Sequence, residues 1–271
     1  MRRVEFIGAN GVGKTTVVRQ LLLDTDGAAL LLDQHQARHA VANASLGDLK
    51  ASKRLFRQLE FLQASRRKRR AKQLRDQEVE RLLASDDGQV ARFVELTLTI
   101  IGESDLSVHD KKNQTAWFFD ALYDAVYMDN AELSVVSLCD ESLSLKTLMV
   151  AMLADSREKV LELFGLMPLP DMLVHVSGAE EKIHDRLVRR ERNTDHSHIH
   201  YLRNRSKDEV IEQLVVLNDI AAQGCRIMQT RGGNIAYLDV DGNNVEGQVE
   251  VLRANVNLLA SGLPPTQGVS G

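Results

Sequence analysis

Short apolar runs alternate along the chain with longer stretches in which apolar residues recur every three or four positions. The first kind has strand length and the second the helical period. Val4–Gly8 (VEFIG) opens as a strand, and Thr15–Leu23 follows as a helix. Ala28–Asp33 (AALLLD) is a second strand. From Asp48 to Ile101 the chain is rich in Leu, Arg, Gln, Lys, Glu and Ala and has no proline. That composition predicts two or three helices, broken near Ser85–Gln89, with another over about Gln114–Asn130. Glu132–Asp140 is a third strand, followed by helix around Leu145–Phe164. Leu169–Gly178 is a fourth strand with Pro170 at its entrance, and helix follows from Ala179 to about Glu191. After a polar stretch, helix resumes from Lys207 to about Thr230. Asn234–Val240 is a fifth strand and Val245–Leu259 a final helix.

Strands alternating with helices predict an α/β domain: a five-stranded, mainly parallel sheet, helices on both faces, right-handed crossovers. The helical stretch over about 48–130, between strands 2 and 3, reads as an insert into one domain spanning 1–260. It is expected to cover the carboxyl edge of the sheet, where open α/β folds bind ligands. Residues 191–206 read as a lid and 261–271 as a flexible tail.

Composition narrows the picture. The chain has 271 residues, 44% of them hydrophobic and only 4% aromatic, which predicts a sizeable and mostly aliphatic core. A net charge of −4 gives no support for general nucleic-acid binding. Two cysteines, Cys139 and Cys225, are too few for a disulfide framework. The first strand begins almost at Met1, leaving no room for a signal peptide, and every apolar run falls short of a membrane span. A cytoplasmic protein without a membrane partner is expected.

The candidate chemistry starts at GANGVGKTT, between the first strand and its helix. Gly8, Gly13, Lys14 and Thr15 match G-x-x-x-x-G-K-[ST]. Gly8, Gly11 and Gly13 permit backbone conformations that turn successive N–H groups inward as an anion nest, and the helix adds its positive end. The segment Gly8, Asn10, Gly11, Val12, Gly13, Lys14, Thr15 and Thr16 is therefore the expected nucleotide cradle. Lys14 is a point charge for β- and γ-phosphates, and the Thr15 hydroxyl is a Mg²⁺ ligand.

A phosphate loop needs a partner for its metal. Val135–Ser142 (VVSLCDES) is an apolar strand ending in two acids, and in a parallel sheet that end lies beside the loop. Asp140 is expected to hold Mg²⁺ or to accept a proton from an attacking hydroxyl, with Glu141 the other candidate base. The same peptide resembles two motifs. Apolar residues before Asp-Glu resemble the second nucleotide motif of many ATPases, in which the second acid polarises water. A strand ending in Asp-x-Ser also looks like the Asp-Arg or Glu-Arg-Ser element of nucleoside and nucleotide kinases, with Glu141 standing where an arginine is usual.

Pro170–Asn193 (PDMLVHVSGAEEKIHDRLVRRERN) favours the kinases. It is similar to a pattern of the deoxynucleoside kinase and thymidylate kinase families, in which Pro-Asp opens a strand and Arg-x-x-x-Arg-x-Arg enters a lid. The matching positions are Arg186, Arg190 and Arg192, with Arg189 adjacent. A planar, always-charged guanidinium can bridge the oxygens of a transferring phosphoryl group. The resemblance implies a P-loop NTPase fold, ATP with Mg²⁺, and a lid over the phosphates. The expected function is ATP- and Mg-dependent phosphoryl transfer to a small-molecule acceptor, a nucleoside or nucleotide. The alternative is a P-loop ATPase in which Glu141 activates water and hydrolysis drives a conformational or partner-directed change. A nucleotide-binding module without turnover is a third reading.

Asp33, His35 and Arg38, after strand 2, lie where such kinases engage their acceptor. Trp117, Phe118, Phe119, Tyr123 and Tyr127 have a spacing that suits either an acceptor pocket or a helical core. His196, His198 and His200 read as lid rather than metal site. Arg66–Lys72 reads as a solvated helix face, since no aromatic platform is interleaved with it, although a polynucleotide end stays open as an acceptor. Cys139 reads as packing. No Asn-Lys-x-Asp guanine reader and no Ser-Gly-Gly signature occurs, and Asp-x-x-Gly appears after the last strand at Asp239–Gly242. The oligomeric state, a homodimer included, is left open.

Overall fold

The computed structural model describes residues 1–23, 31–44, 88–193 and 205–265, and positions 73, 76, 77 and 80. Five strands are described: β1 (Arg2–Ile7), β2 (Leu31–Asp33), β3 (Val136–Cys139), β4 (Met172–Ser177) and β5 (Ile235–Asp239). They form one sheet in the order β2-β3-β1-β4-β5. Every pair is parallel, so all five carboxyl ends share one edge. The sheet is thus wholly rather than mainly parallel among the described residues.

Described helices are α1 (Lys14–Leu23), α2 (Gln34–Ala44), α3 (Gln89–Glu103), α4 (Val108–Asp129), α5 (Leu143–Ala151), α6 (Arg157–Leu166), α7 (Glu180–Asn193), α8 (Lys207–Thr230) and α9 (Val245–Ala260). The first and last pack together, and α9 lies on β1 and β3. On the other side α4 and α5 contact β1, while α8 contacts β4 and β5. A parallel sheet covered on both faces needs strands that are buried throughout, and β3 and most of β1 and β4 are.

β1 meets that need with two charges in its interior. Arg3 and Glu5 project toward α4 and α5, and both are buried. The Arg3 guanidinium donates to Glu5 and, through Nε and Nη2, to both carboxylate oxygens of Asp129 at the end of α4, at 2.9 Å each. Glu5 in turn accepts from the Ser144 N–H at 2.7 Å and from the Ser144 hydroxyl, in the first turn of α5. A buried charge must be paired and hydrogen-bonded, and here the pairing also fixes where α5 starts. Val4 and Phe6 alternate to the opposite face and are wholly buried.

Three elements differ from the sequence expectation. The helix over Leu145–Phe164 is two helices, because Ser156 ends the Met152–Asp155 break by accepting from the Lys159 N–H. The helix expected from Gln114 starts at Val108, where Ser107 accepts from the Asp110 N–H. Residues after Asp33 form α2, for which no helix was expected. Its start is a reciprocal cap: the Gln36 N–H donates to Asp33 Oδ1 at 2.7 Å, and Gln36 Oε1 accepts from the Asp33 N–H at 3.1 Å. Gly88, in the left-handed region at φ 60°, precedes α3 at the expected break.

α3 buries Phe93, Val94, Thr97, Ile100 and Ile101, one face at helical spacing. Phe93 and Phe118 meet with ring centroids 5.4 Å apart, joining α3 to α4. Each such buried ring contributes about 1.5–3 kcal/mol. Residues 24–30, 45–72 and 194–204 fall outside the described residues. With them go the start of the second strand, much of the insert, Arg66–Lys72, the three lid histidines and most of the lid. The tail is described as far as Pro265.

Candidate functional site

β1 ends at Ile7, and the chain turns through Gly8–Gly13 into α1 at the carboxyl edge of the sheet. Gly8, Gly11 and Gly13 all have positive φ (143°, 80° and 118°). At two of them space is also decisive. A Cβ on Gly8 would lie 2.2 Å from the Val176 carbonyl oxygen of β4, and one on Gly11 would lie 2.8 Å from Leu187 Cδ2 of α7. The loop is therefore pressed between β4 and α7. Val12 is wholly buried and anchors it from below. The earliest helical bonds are from Thr16 N–H and Val17 N–H to the Gly13 carbonyl, at 2.9 and 3.1 Å. The N–H groups of Lys14 and Thr15 precede them and stand outside the α1 ladder.

Lys14 is buried, and its ammonium donates to the Gly8 and Ala9 carbonyls at 2.8 and 2.9 Å. Burial pushes its pKa down to about 8, against the opposing pull of Glu141 and Asp140. Lys146 and Arg190 push in the same direction as burial, so both cations act on the cradle. Parallel pairing of β1 with β3 sets Asp140 beside the loop. There the exposed Thr15 hydroxyl donates to Asp140 Oδ2 at 2.6 Å. Thr16 is exposed beside it and Asn10 is half-buried.

Glu141 turns outward and pairs with Lys146, one turn into α5. The Lys146 ammonium also lies 5.9 Å from the ring centroid of Trp117 on α4. Trp117 is 38% exposed, whereas Phe118 and Tyr127 are buried and Phe119 and Tyr123 pack against the core. Of the five aromatic residues, only Trp117 is exposed, and it lies beside Lys146.

The arginines separate. Arg186 donates through Nη1 to the Val12 carbonyl at 3.2 Å and through Nη2 to Asp241 Oδ1 at 2.6 Å. Asp241, just beyond β5, also accepts from the Ala179 N–H at 3.0 Å and pairs with Lys182 at 3.5 Å. Arg186 thus ties the glycine loop to the start of α7 and the end of β5. Arg190, four residues on, is exposed on the same helix and reaches the electrostatic field of Lys14. Arg192 is exposed farther along.

After β2, Asp33 is engaged in capping α2, and Arg38 pairs with the buried Asp124 of α4, which also accepts from Gln34 at 3.0 Å. His35 stacks edge-on against His39 at 4.5 Å. Cys139 and Cys225 are both free thiols, raised by burial to about 11 and 12, which makes them packing groups and not nucleophiles.

Sequence reasoning passed over Lys146 and Asp241. Lys146 carried no motif. Asp241 lies inside the Asp239–Gly242 segment, where a guanine-related motif drew attention away from the single acid. Thr15 and Asp140 form an all-oxygen pair, a donor set that fits a magnesium ion completing its shell with water and phosphate oxygens. No helix among the described residues is long and apolar enough to cross a membrane. No protein-family model matches the chain, and no curated protein matches it significantly.

Proposed function

We propose that this chain is a P-loop kinase, transferring the terminal phosphoryl group of ATP to a small-molecule acceptor, a nucleoside or nucleotide. The observation that carries the reading is the Thr15–Asp140 contact at the rim of a positive-φ glycine loop whose lysine is buried. A cytoplasmic setting suits ATP as donor and two free thiols.

In this reading the N–H groups at the start of α1 and the Lys14 ammonium bind the β- and γ-phosphates. Thr15 and Asp140 would hold magnesium, which when bound neutralises charge on the β- and γ-oxygens. An acceptor oxygen attacks the γ-phosphorus, the bond from that phosphorus to the β,γ-bridging oxygen breaks, and ADP leaves. The acceptor proton passes to a carboxylate at the end of β3, Asp140 or Glu141. Arg190 stabilises the transferring group. Arg186 is held by Asp241 and the Val12 carbonyl, and its part is to position α7 against the loop.

Incubation with MgATP and a panel of nucleosides and nucleotides, read by phosphorus NMR, tests this. An acceptor-dependent phosphorylated product is expected. Release of inorganic phosphate alone, lost in Glu141→Gln with ATP binding kept, would assign the chain to the ATPases instead. Failure to bind any nucleoside triphosphate would remove both readings.

A further inference from the structure

Lys146 is a cation placed where its own helix disfavours one. It lies in the second turn of α5, close to the positive end of the helix dipole, and the first turn contains no acid to balance it. Its side chain is only 20% exposed, against 64% for its partner Glu141. An ordinary surface pair would leave the lysine equally solvated and contribute little to stability. Here the stem is covered, the ammonium is near Trp117, and its partner Glu141 directly follows Asp140, which accepts from the Thr15 hydroxyl at 2.6 Å. The ammonium is thus tethered to the acidic pair that borders the glycine loop, where an incoming polyanion would compete with Glu141 for it.

From this placement we infer that Lys146 is a second phosphate-binding cation, which exchanges Glu141 for the terminal phosphate of a bound nucleoside triphosphate. The inference rests on the kinase reading and adds to it. Lys14 at the floor of the loop spans the β-phosphate, which ATP and ADP share, as well as the γ-phosphate, and Lys146, from α5, reaches the γ-phosphate alone. Glu141 serves as the resting counter-ion that keeps the ammonium at the rim. A charge-assisted contact to a phosphate made by one nucleotide and not the other contributes discrimination without general affinity.

The test is calorimetric titration of the intact protein with MgATP and MgADP, for wild type, Lys146→Met and Lys146→Arg. In wild type, ATP is expected to bind more tightly than ADP. In Lys146→Met the ATP affinity falls about tenfold or more while ADP affinity stays the same, and Lys146→Arg restores most of the preference. Equal loss for both nucleotides would show a merely structural role and overturn the inference, as would an unchanged ATP-to-ADP ratio. Wild-type protein that binds neither nucleotide would instead sink the kinase reading, a result distinct from either. Circular dichroism and thermal melting of each variant establish that it is folded before titration.

Discussion

The Thr15 hydroxyl and the Asp140 carboxylate meet at 2.6 Å although 125 positions of sequence separate them. The contact exists because β1 and β3 are parallel neighbours, so the helix start after one and the acid after the other emerge side by side. Asp140→Asn keeps the hydrogen bond but removes the charge. It is expected to lower magnesium-dependent ATP affinity by about tenfold or more, with little change in affinity measured in EDTA. Paired titrations with and without the metal check this.

Lys14 predicts a pH dependence. With its pKa lowered to about 8, it is protonated at pH 7 and largely neutral by pH 9. Phosphate binding favours the ammonium form, so nucleotide affinity should be flat below pH 7 and fall as pH rises through 8. Binding near pH 8 should take up a proton, visible as a heat that varies with the ionisation enthalpy of the buffer. The folding linkage has the opposite slope. Between about 8 and the ordinary 10.5, the unfolded chain holds the proton that the folded chain has lost, so this residue's contribution to stability rises with pH. Lys14→Met should therefore stabilise the unliganded protein at pH 7, by about 1–3 kcal/mol, while abolishing ATP binding.

Arg186 and Arg190 share a helix face but should fail differently. Arg186→Ala frees the loop from Asp241 and is expected to weaken ATP binding. Arg190→Ala is expected to leave ATP binding nearly intact and to lower turnover by about 10³-fold. Steady-state constants for the two variants, compared with direct binding, separate the roles.

The α6–α8 crossing depends on a missing side chain. A Cβ on Gly224 would lie 2.6 Å from the Phe164 ring, which is wholly buried. Gly224→Ala should cost about 1–3 kcal/mol in urea unfolding, and Phe164→Leu in the same chain should recover part of it. If the single variant were neutral, the helices would have to cross less closely than described.

Arg3 and Glu5 predict a second stability effect. Glu5→Leu leaves the Arg3 guanidinium with Asp129 and the Leu169 carbonyl and strips Ser144 of its acceptor, at a cost of about 3–5 kcal/mol. Replacing both charges, Arg3→Met with Glu5→Leu, should cost less than the single change. A double-mutant cycle reads the difference.

Much of the site was legible in the chain. Glycine spacing at Gly8–Gly13, with a lysine and a hydroxyl next to it, follows from backbone geometry that only a few residue types allow. Asp140 followed from the alternation of strand and helix, since in a parallel sheet an acid just after an apolar strand emerges at the same edge as the glycine loop. Helix starts at Ser107, Ser142 and Ser156 carry a local signal, a hydroxyl three residues before the N–H group it accepts from, yet the sequence expectation places the start after Ser107 at Gln114. The break before Ser156 was missed because an apolar period continuing across it outweighed a single cap.

What local pattern could not carry was the choice among equivalent residues. Arg186, Arg190 and Arg192 are alike in sequence, and only the distance from β5 to α7 commits the first to Asp241. Trp117 has the same helical neighbours as Phe118, yet a rotation of about 100° per residue sends one toward Lys146 and solvent and the other into the core. Lys146 and Glu5 have meaning only through partners on other elements. By itself the sequence determined the alternation of strand and helix, the glycine-loop geometry and the acids at the end of β3, because each depends on neighbours along the chain. The tertiary structure alone decided strand order, the partners of Arg186 and the place of Lys146 beside Glu141 and Trp117, because those depend on which distant groups are brought within a few ångströms and out of water.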